Sequence, residues 1–139
     1  MSSGDFEQRN LYNGTPPCCW IRVRLRAPDG SDHEFNLLAD TGSPVAIILG
    51  LTTLATMKHG DASGLGSNFG QLVGAWFHVR MAELGLDHKL VGYGSDNVLS
   101  TVKTGCPDFE GLAGLPLLRL MEYGGDADAF WVRPLGVKP

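Results

Sequence analysis

One stretch decides the fold of this chain, and it reads Phe35-Asn36-Leu37-Leu38-Ala39-Asp40-Thr41-Gly42-Ser43-Pro44-Val45-Ala46-Ile47-Ile48-Leu49. An apolar segment leads into Asp40-Thr41-Gly42-Ser43, and a second apolar segment leaves it. Short apolar runs on either side of a turn signal are typical of strands. The stretch therefore predicts that Asp40 lies in a tight turn between two strands. Gly42 would let the backbone bend sharply and approach the carboxylate closely.

Alternating apolar and polar residues predict further strands around this turn. Ile21, Val23 and Leu25 alternate with arginines, and Asp29-Gly30 supplies a hairpin turn before the next strand. Residues 71–81 are expected to form a long strand with an apolar face of Val73, Ala75, Phe77, Val79 and Met81. The other expected elements are short helices at about 51–57 and from about Pro116, a glycine-rich hairpin or loop at 59–70, and strands near 89–93, 97–102 and 129–132.

The composition fits one folded domain and argues against several classes of protein. Of the 139 residues, 43% are hydrophobic, which is enough for a single core. The net charge of −4 and the pI near 5.4 argue against nucleic acid as the main partner, because phosphate binding needs clustered positive charge. No apolar run approaches the ~20 residues of a membrane span, so no membrane association is expected. The chain has 19 glycines, about twice the usual share of ~7%, which favours a strand-rich fold with many turns.

The first residues and the cysteines bear on organisation and compartment. Residues 1–17 are polar and end in Thr15-Pro16-Pro17, so we interpret them as a flexible N-terminal arm or linker before a domain at 18–139. The chain does not start with a basic region followed by an apolar stretch, the pattern of a secretory signal. Three cysteines, two of them adjacent, argue against a disulfide-stapled secreted domain. A cytoplasmic location is therefore expected.

A second apolar segment that contains glycine lies downstream of the Asp-Thr-Gly-Ser turn. Leu112-Ala113-Gly114 lies about 70 residues downstream and is followed by the apolar run Leu115-Pro116-Leu117-Leu118. Together the turn and this segment resemble the retroviral-type (retropepsin-like) aspartic proteases over roughly residues 18–133. The resemblance implies a single-lobe closed β-barrel of the acid-protease type, with the glycine-rich stretch Gly64-Leu65-Gly66 in the place of the flap. Neither an organic cofactor nor a metal is implied, and the histidines and cysteines show no paired ligand spacing.

The same resemblance implies a two-fold homodimer. Aspartic proteolysis needs two carboxylates that share a water, one ionised as general base and one protonated. The chain has one Asp-Thr-Gly turn, so a second copy would supply the second Asp40. Thr41 would tie the turn to the neighbouring copy, and Ser43 is a candidate hydrogen-bond donor to the outer oxygen of Asp40, favouring its ionised form.

The expected substrate is a polypeptide in extended form, bound as an added strand between flap and floor. The candidate substrate-binding residues are Gly64, Leu65, Gly66, Ile47, Leu112, Ala113 and Gly114. Ala113 is smaller than the branched residue usual in this family, and Pro44 removes a backbone donor beside the turn. These departures keep a second hypothesis open, a non-catalytic dimeric peptide-binding or assembly module on the same fold. A generic β-barrel binding domain with a chance motif is the third.

Overall fold

A closed barrel of six strands forms the body of the molecule. The computed structural model describes residues 8–136. The barrel strands are β2 (Trp20–Arg26), β3 (Asp32–Asp40), β4 (Ile47–Leu49), β6 (Gly70–Met81), β7 (Leu86–Gly94) and β8 (Gly111–Gly114). Their order is β2-β3-β8-β4-β7-β6, and β6 returns to pair with β2, which closes the ring. The predicted mainly β class and the closed barrel are confirmed.

The remaining strands and the helices are not part of the barrel wall. Strand β5 (Gly60–Ser67) pairs with β6 as a hairpin, and strands β1 (Gln8–Leu11), β9 (Met121–Gly125) and β10 (Ala129–Pro134) form a separate sheet in the order β1-β10-β9. The helices are α1 (Leu51–Met57), α2 (Asp96–Gly105) and the single turn α3 (Leu115–Leu118). No helix of residues 8–136 is long and apolar enough to cross a membrane.

The apolar residues that alternate along β2 point into the barrel and fill its interior. Ile21, Val23 and Leu25 are fully buried, while the arginines between them stay half-buried on the other face. There Arg24 pairs with Glu34 and with Glu83, and Arg26 pairs with Asp32. Burying three branched side chains on one strand contributes several kcal/mol, at about 1.5–3 kcal/mol each. Hydrophobic alternation therefore sets which face of the strand lies inside.

Residues 8–11 are part of the folded structure, contrary to the flexible arm predicted for 1–17. Strand β1 pairs in register with β10, from Gln8 opposite Val132 to Leu11 opposite Ala129. The buried amide of Gln8 donates to the Arg22 carbonyl at 2.9 Å and accepts from the Arg22 N–H at 3.0 Å. The polar composition suggested an arm exposed to solvent. Instead, the buried Gln8 amide forms hydrogen bonds with the main chain of β2, as buried polar groups generally do with a neighbouring element. Residues 1–7 of the predicted arm lie outside the described residues.

Two further expectations need correction. Residues 97–102 are helical, inside α2, because Ser95 caps the helix by accepting the Val98 N–H, and Val98 and Val102 are buried one turn apart. Val73 is exposed, whereas the other four members of the predicted apolar face of 71–81 are buried. The reason is that β6 leaves the barrel near Val73 to form the hairpin with β5, whose pairing shifts between Ala62 and Leu65.

Candidate active site

The predicted turn connects two strands that are not neighbours in the barrel. Asp40 is the last residue of β3, and its carboxylate Oδ1 accepts the Gly42 N–H at 3.0 Å. The Asp40 carbonyl accepts the Ser43 N–H at 3.1 Å, which closes the turn. A side chain at the paired end of a strand, held by a hydrogen bond to its own turn, has few orientations open to it. The local sequence therefore holds the Asp40 carboxylate in place.

Strand β8 runs between the two strands that flank the turn. It pairs in parallel with β3, so that Asp40 lies opposite Gly114, and antiparallel with β4, so that Ile47 lies opposite Ala113. Main-chain bonds tie the turn to the end of β8, from the Gly114 N–H to the Ala46 carbonyl (2.8 Å) and from the Leu115 N–H to the Ser43 carbonyl (3.1 Å). The two segments singled out in the sequence are thus one structural unit.

Gly114 allows this close passage. A Cβ at Gly114 would lie 1.8 Å from the Val45 carbonyl oxygen and 2.9 Å from the Ser43 Oγ. Gly42 is constrained more mildly, since a Cβ there would lie 3.3 Å from the Asp40 Oδ1. Close approach of the Val45 main chain, rather than an unusual backbone angle, is the reason for glycine at position 114, whereas the one atom close to a Cβ at Gly42 belongs to the Asp40 side chain.

Ser43 has a different role from the one predicted. Its buried hydroxyl donates to the Val45 carbonyl at 3.2 Å and accepts the Val45 N–H at 3.3 Å. The hydroxyl therefore braces the exit of the turn, and within one chain it makes no bond to Asp40. Pro44 lies exposed between these partners, so its missing N–H leaves no buried group unsatisfied.

Asp40 opens into an apolar cleft of about 570 Å³. The floor comes from the turn and β8, one wall from α2, and the cover from the tip of the β5–β6 hairpin. Asp40 is the single carboxylate among the described residues that line the cleft. Its apolar lining residues include Leu38, Ile48, Leu72, Val98, Val102 and Leu112. A carboxylate at the edge of an apolar groove of this volume is suited to bind a ligand with apolar side chains.

A hydrogen bond holds the hairpin tip over the cleft. The Asn97 side-chain amide, near the start of α2, donates to the Phe69 carbonyl at 3.0 Å. Ser67 closes the tip itself, donating its hydroxyl to the Gly70 carbonyl at 2.8 Å and accepting the Phe69 N–H at 3.1 Å. Phe69 stays 46% exposed, so the cover has a large apolar side chain free for contact. The glycine-rich stretch is therefore a hairpin over the Asp40 cleft.

The predicted substrate-binding residues divide into two groups. Leu65, Gly66 and Leu112 line the cleft. Ile47 and Ala113 are fully buried in the barrel core. Gly114 packs against the Val45 carbonyl and Gly64 lies against Gln71 and Leu72 of β6, and neither glycine lines the cleft. Along β4 and β8 the strand period separates Ile47 and Ala113, which face the core, from Leu112, which faces the cleft, because alternate residues of a strand face opposite sides. Thr41 and Gly42 lie exposed beside Asp40.

Sequence reasoning missed the wall formed by α2. The signal was present in Ser95-Asp96, since a serine N-cap followed by an acidic residue in the first turn is typical of a helix start. Val98, Thr101, Val102, Gly105 and Cys106 from this segment line the cleft. The described residues that line the cleft include no histidine and no carboxylate besides Asp40.

Comparison with family models, with curated proteins and with solved structures gives no match to this chain. The fold places the Asp40–Ser43 turn and Leu112-Ala113-Gly114 side by side.

Proposed function

We propose that this protein is an aspartic endopeptidase that acts as a homodimer, with one Asp40 from each copy. One observation carries the proposal, and it concerns the setting of Asp40. Its carboxylate is held by a hydrogen bond within its own turn, and its backbone pairs with Gly114 of β8. The carboxylate lies at the mouth of an apolar cleft that the β5–β6 hairpin covers. A surface turn of ordinary function needs neither the glycine at 114 nor the cover. The closed barrel supplies rigid support for both strands that flank the acid.

The proposed chemistry divides two roles between two identical carboxylates. In the dimer one Asp40 is ionised and takes a proton from the attacking water, while the other is protonated and donates a hydrogen bond to the scissile carbonyl. Two carboxylates a few ångströms apart share one proton because their like charges oppose double ionisation. The apparent pKa values then belong to the pair, and activity depends on pH at both ends of a window.

The need for a second copy follows from the count of turns. The chain contains one Asp-Thr-Gly sequence. Thr41 and Gly42 are exposed beside Asp40, as a surface that meets its own copy across a two-fold axis would require. Among residues 8–136 the Thr41 hydroxyl has no hydrogen-bond partner, which leaves it free to bond the opposite turn. Thr41 is therefore the proposed contact between the two turns.

The proposed substrate is an unfolded or extended polypeptide. Leu65 and Gly66 at the cover and Leu112 at the floor face each other across the cleft, and a strand between them would add main-chain bonds to the hairpin. The apolar walls favour a large apolar side chain next to the cleaved bond.

The test is peptide-bond cleavage of an unfolded protein substrate from about pH 3 to about pH 7, the range in which a carboxylate pair holds one proton. The variant is Asp40→Asn, which keeps an oxygen to accept the Gly42 N–H and so preserves the turn. Asp61→Asn is the matched control, because Asp61-Ala62-Ser63-Gly64 resembles the turn in sequence but stands exposed in β5. We expect full loss of cleavage in the first variant and wild-type activity in the second.

Sedimentation at several protein concentrations accompanies the assay. Specific activity should rise with the dimer fraction. A chain that stays monomeric at high concentration yet cleaves, or equal cleavage by Asp40→Asn, would exclude this mechanism. A well-folded dimer that binds peptide in the cleft but cleaves nothing would favour the peptide-binding module instead.

A further inference from the structure

Two cysteines lie in the wall of the cleft, where the proposed chemistry does not use them. Cys18 and Cys106 both line the cleft, and both belong to the apolar cluster between α2 and the barrel. They are 88 positions apart in sequence, so the fold alone brings them together. Cys19 faces the other way and packs against the barrel core.

The main chain next to Cys18 forms a hydrogen bond with the Cys106 thiol. Asn13 and Cys18 form a two-way backbone bridge, with the Cys18 N–H 2.6 Å from the Asn13 carbonyl oxygen. The Cys106 Sγ donates to that same Asn13 oxygen at 3.9 Å. One carbonyl oxygen therefore joins the Cys18 backbone to the Cys106 sulfur. The Thr15 N–H adds a bond to the Gly105 carbonyl at 3.2 Å, which ties the 13–18 loop to the end of α2.

The two thiols differ in access. Cys18 is half-buried at the cleft surface, whereas Cys106 is 2% exposed. Burial raises the pKa of the Cys106 thiol to about 11, and a hydrogen bond with Cys18 and the charge on that neighbour add to the rise. Of the two sulfurs, Cys18 is the one that a peroxide can reach, and Cys106 is the neighbour that can then attack it to form a disulfide.

We propose that Cys18 and Cys106 are a two-thiol oxidation site that takes a hydroperoxide and closes to an intrachain disulfide. The Cys18 thiolate attacks a peroxide oxygen, the O–O bond breaks, and Cys18 becomes a sulfenic acid as hydroxide or alkoxide leaves. The Cys106 sulfur then attacks the Cys18 sulfur and the S–O bond breaks. The proton of the Cys106 thiol leaves with the hydroxyl group as water. Two thiols and one hydrogen peroxide give one disulfide and two waters.

The bond would tie the 13–18 loop covalently to the end of α2. Because both sulfurs lie in the cleft wall and neither bonds to Asp40, oxidation should alter ligand binding more than the acid–base step. This consequence rests on the proposed function, whereas the oxidation itself does not. If the protein is the proposed endopeptidase, the oxidised dimer should cleave peptides with a KM that differs from that of the reduced dimer and with the same kcat.

The experiment exposes the full-length reduced protein to hydrogen peroxide, alkylates the remaining thiols and measures intact mass and disulfide-linked peptides. Oxidation should leave one of the three cysteines, Cys19, open to alkylation. A peptide pair linking Cys18 to Cys106 should appear, and a thiol reductant should restore all three. Cys19→Ser is the matched control and should form the same link.

Cys18→Ser and Cys106→Ser test the two roles separately. Cys106→Ser should accumulate a sulfenic acid at Cys18 that a dimedone probe captures, whereas Cys18→Ser should give neither link nor trapped acid. A disulfide between Cys18 and Cys19, a bond between two chains, or equal peroxide reaction of all three thiols would overturn the proposal. Because the readout is mass, an inactive protein would still decide the question.

Discussion

Asp40 and Gly114 are cross-strand partners at the ends of β3 and β8, so the turn that carries the carboxylate closes over a residue without a side chain. The pairing joins two segments more than 70 positions apart in sequence. It explains why an acid, a turn and a glycine occur together in this chain. The site depends on this relationship as much as on the acid itself.

Gly114→Ala should therefore damage the fold at the site. The added Cβ would lie 1.8 Å from the Val45 carbonyl oxygen, which belongs to the main chain and cannot yield as the end of a flexible side chain would, and 2.9 Å from the Ser43 Oγ. We expect a loss of unfolding free energy of about 3 kcal/mol or more, at the upper end of overpacking effects. Chemical denaturation measures it. Gly60→Ala is the control, since no atom lies within 4 Å of its added Cβ, and comparable losses in both variants would contradict the argument.

Ser43→Ala separates a structural role from an electrostatic one. The Ser43 hydroxyl bonds the Val45 main chain, so its removal should lower the unfolding free energy by about 1–2 kcal/mol. The pH profile of cleavage should keep its acidic limb, because the hydroxyl does not reach Asp40 within the chain. Denaturation and a pH–rate profile check both parts. Ser63→Ala, at an exposed serine, controls for the substitution, and a shifted acidic limb would restore the donor role predicted from sequence.

Asn97→Ala should loosen the cover of the cleft. Its amide bond to the Phe69 carbonyl links the hairpin tip to α2, and one such hydrogen bond contributes about 1 kcal/mol. Opening of the tip should become ~5-fold more frequent, the ratio that corresponds to that energy. Hydrogen exchange at residues 67–70 measures it. Ser100→Ala, exposed on the same helix, should leave exchange at the tip unchanged; an equal effect would mean that α2 as a whole was disturbed.

Acid should weaken the sheet of β1, β10 and β9 through Asp126. The N–H groups of Asp128 and Ala129, and then the charge of Arg9, hold the pKa of Asp126 below its ordinary value of 3.8. A carboxyl with a lowered folded pKa stabilises the fold above its ordinary pKa and loses that contribution as the pH falls through the lowered value. Asp126→Asn should therefore lower the Tm near neutral pH and flatten its fall in acid.

Thermal unfolding from about pH 2 to about pH 7 checks this dependence. Asp128→Asn is the control, because its side chain takes no part in these bonds. An acid transition that stays as steep in Asp126→Asn as in the wild type would place the sensitivity elsewhere, for example in the Arg26–Asp32 pair, where hydrogen bonding from Arg26 likewise lowers the pKa of Asp32.

Local pattern was sufficient for much of the fold and for the turn that holds Asp40. The alternation at Ile21, Val23 and Leu25 predicted the inward face of β2, because a strand repeats every two residues whatever surrounds it. Helix α1 was predicted near its observed bounds, and the glycine-rich stretch was predicted as a hairpin or loop. Helix α2 was missed because its valines, spaced for a strand as well as a helix, outweighed the cap at Ser95.

The sequence by itself determined the local setting of Asp40: one carboxylate in a glycine turn between two apolar strands, on a mainly β chain. These are local properties, set by side-chain period and by the conformations that glycine allows. The tertiary structure alone decided what surrounds that carboxylate. The folded barrel brings β8 beside the turn. It also places α2 at one wall of the cleft, the hairpin over it, and Cys18 near Cys106. Contacts between residues far apart in sequence depend on how the whole core packs, and no short stretch of sequence contains that information.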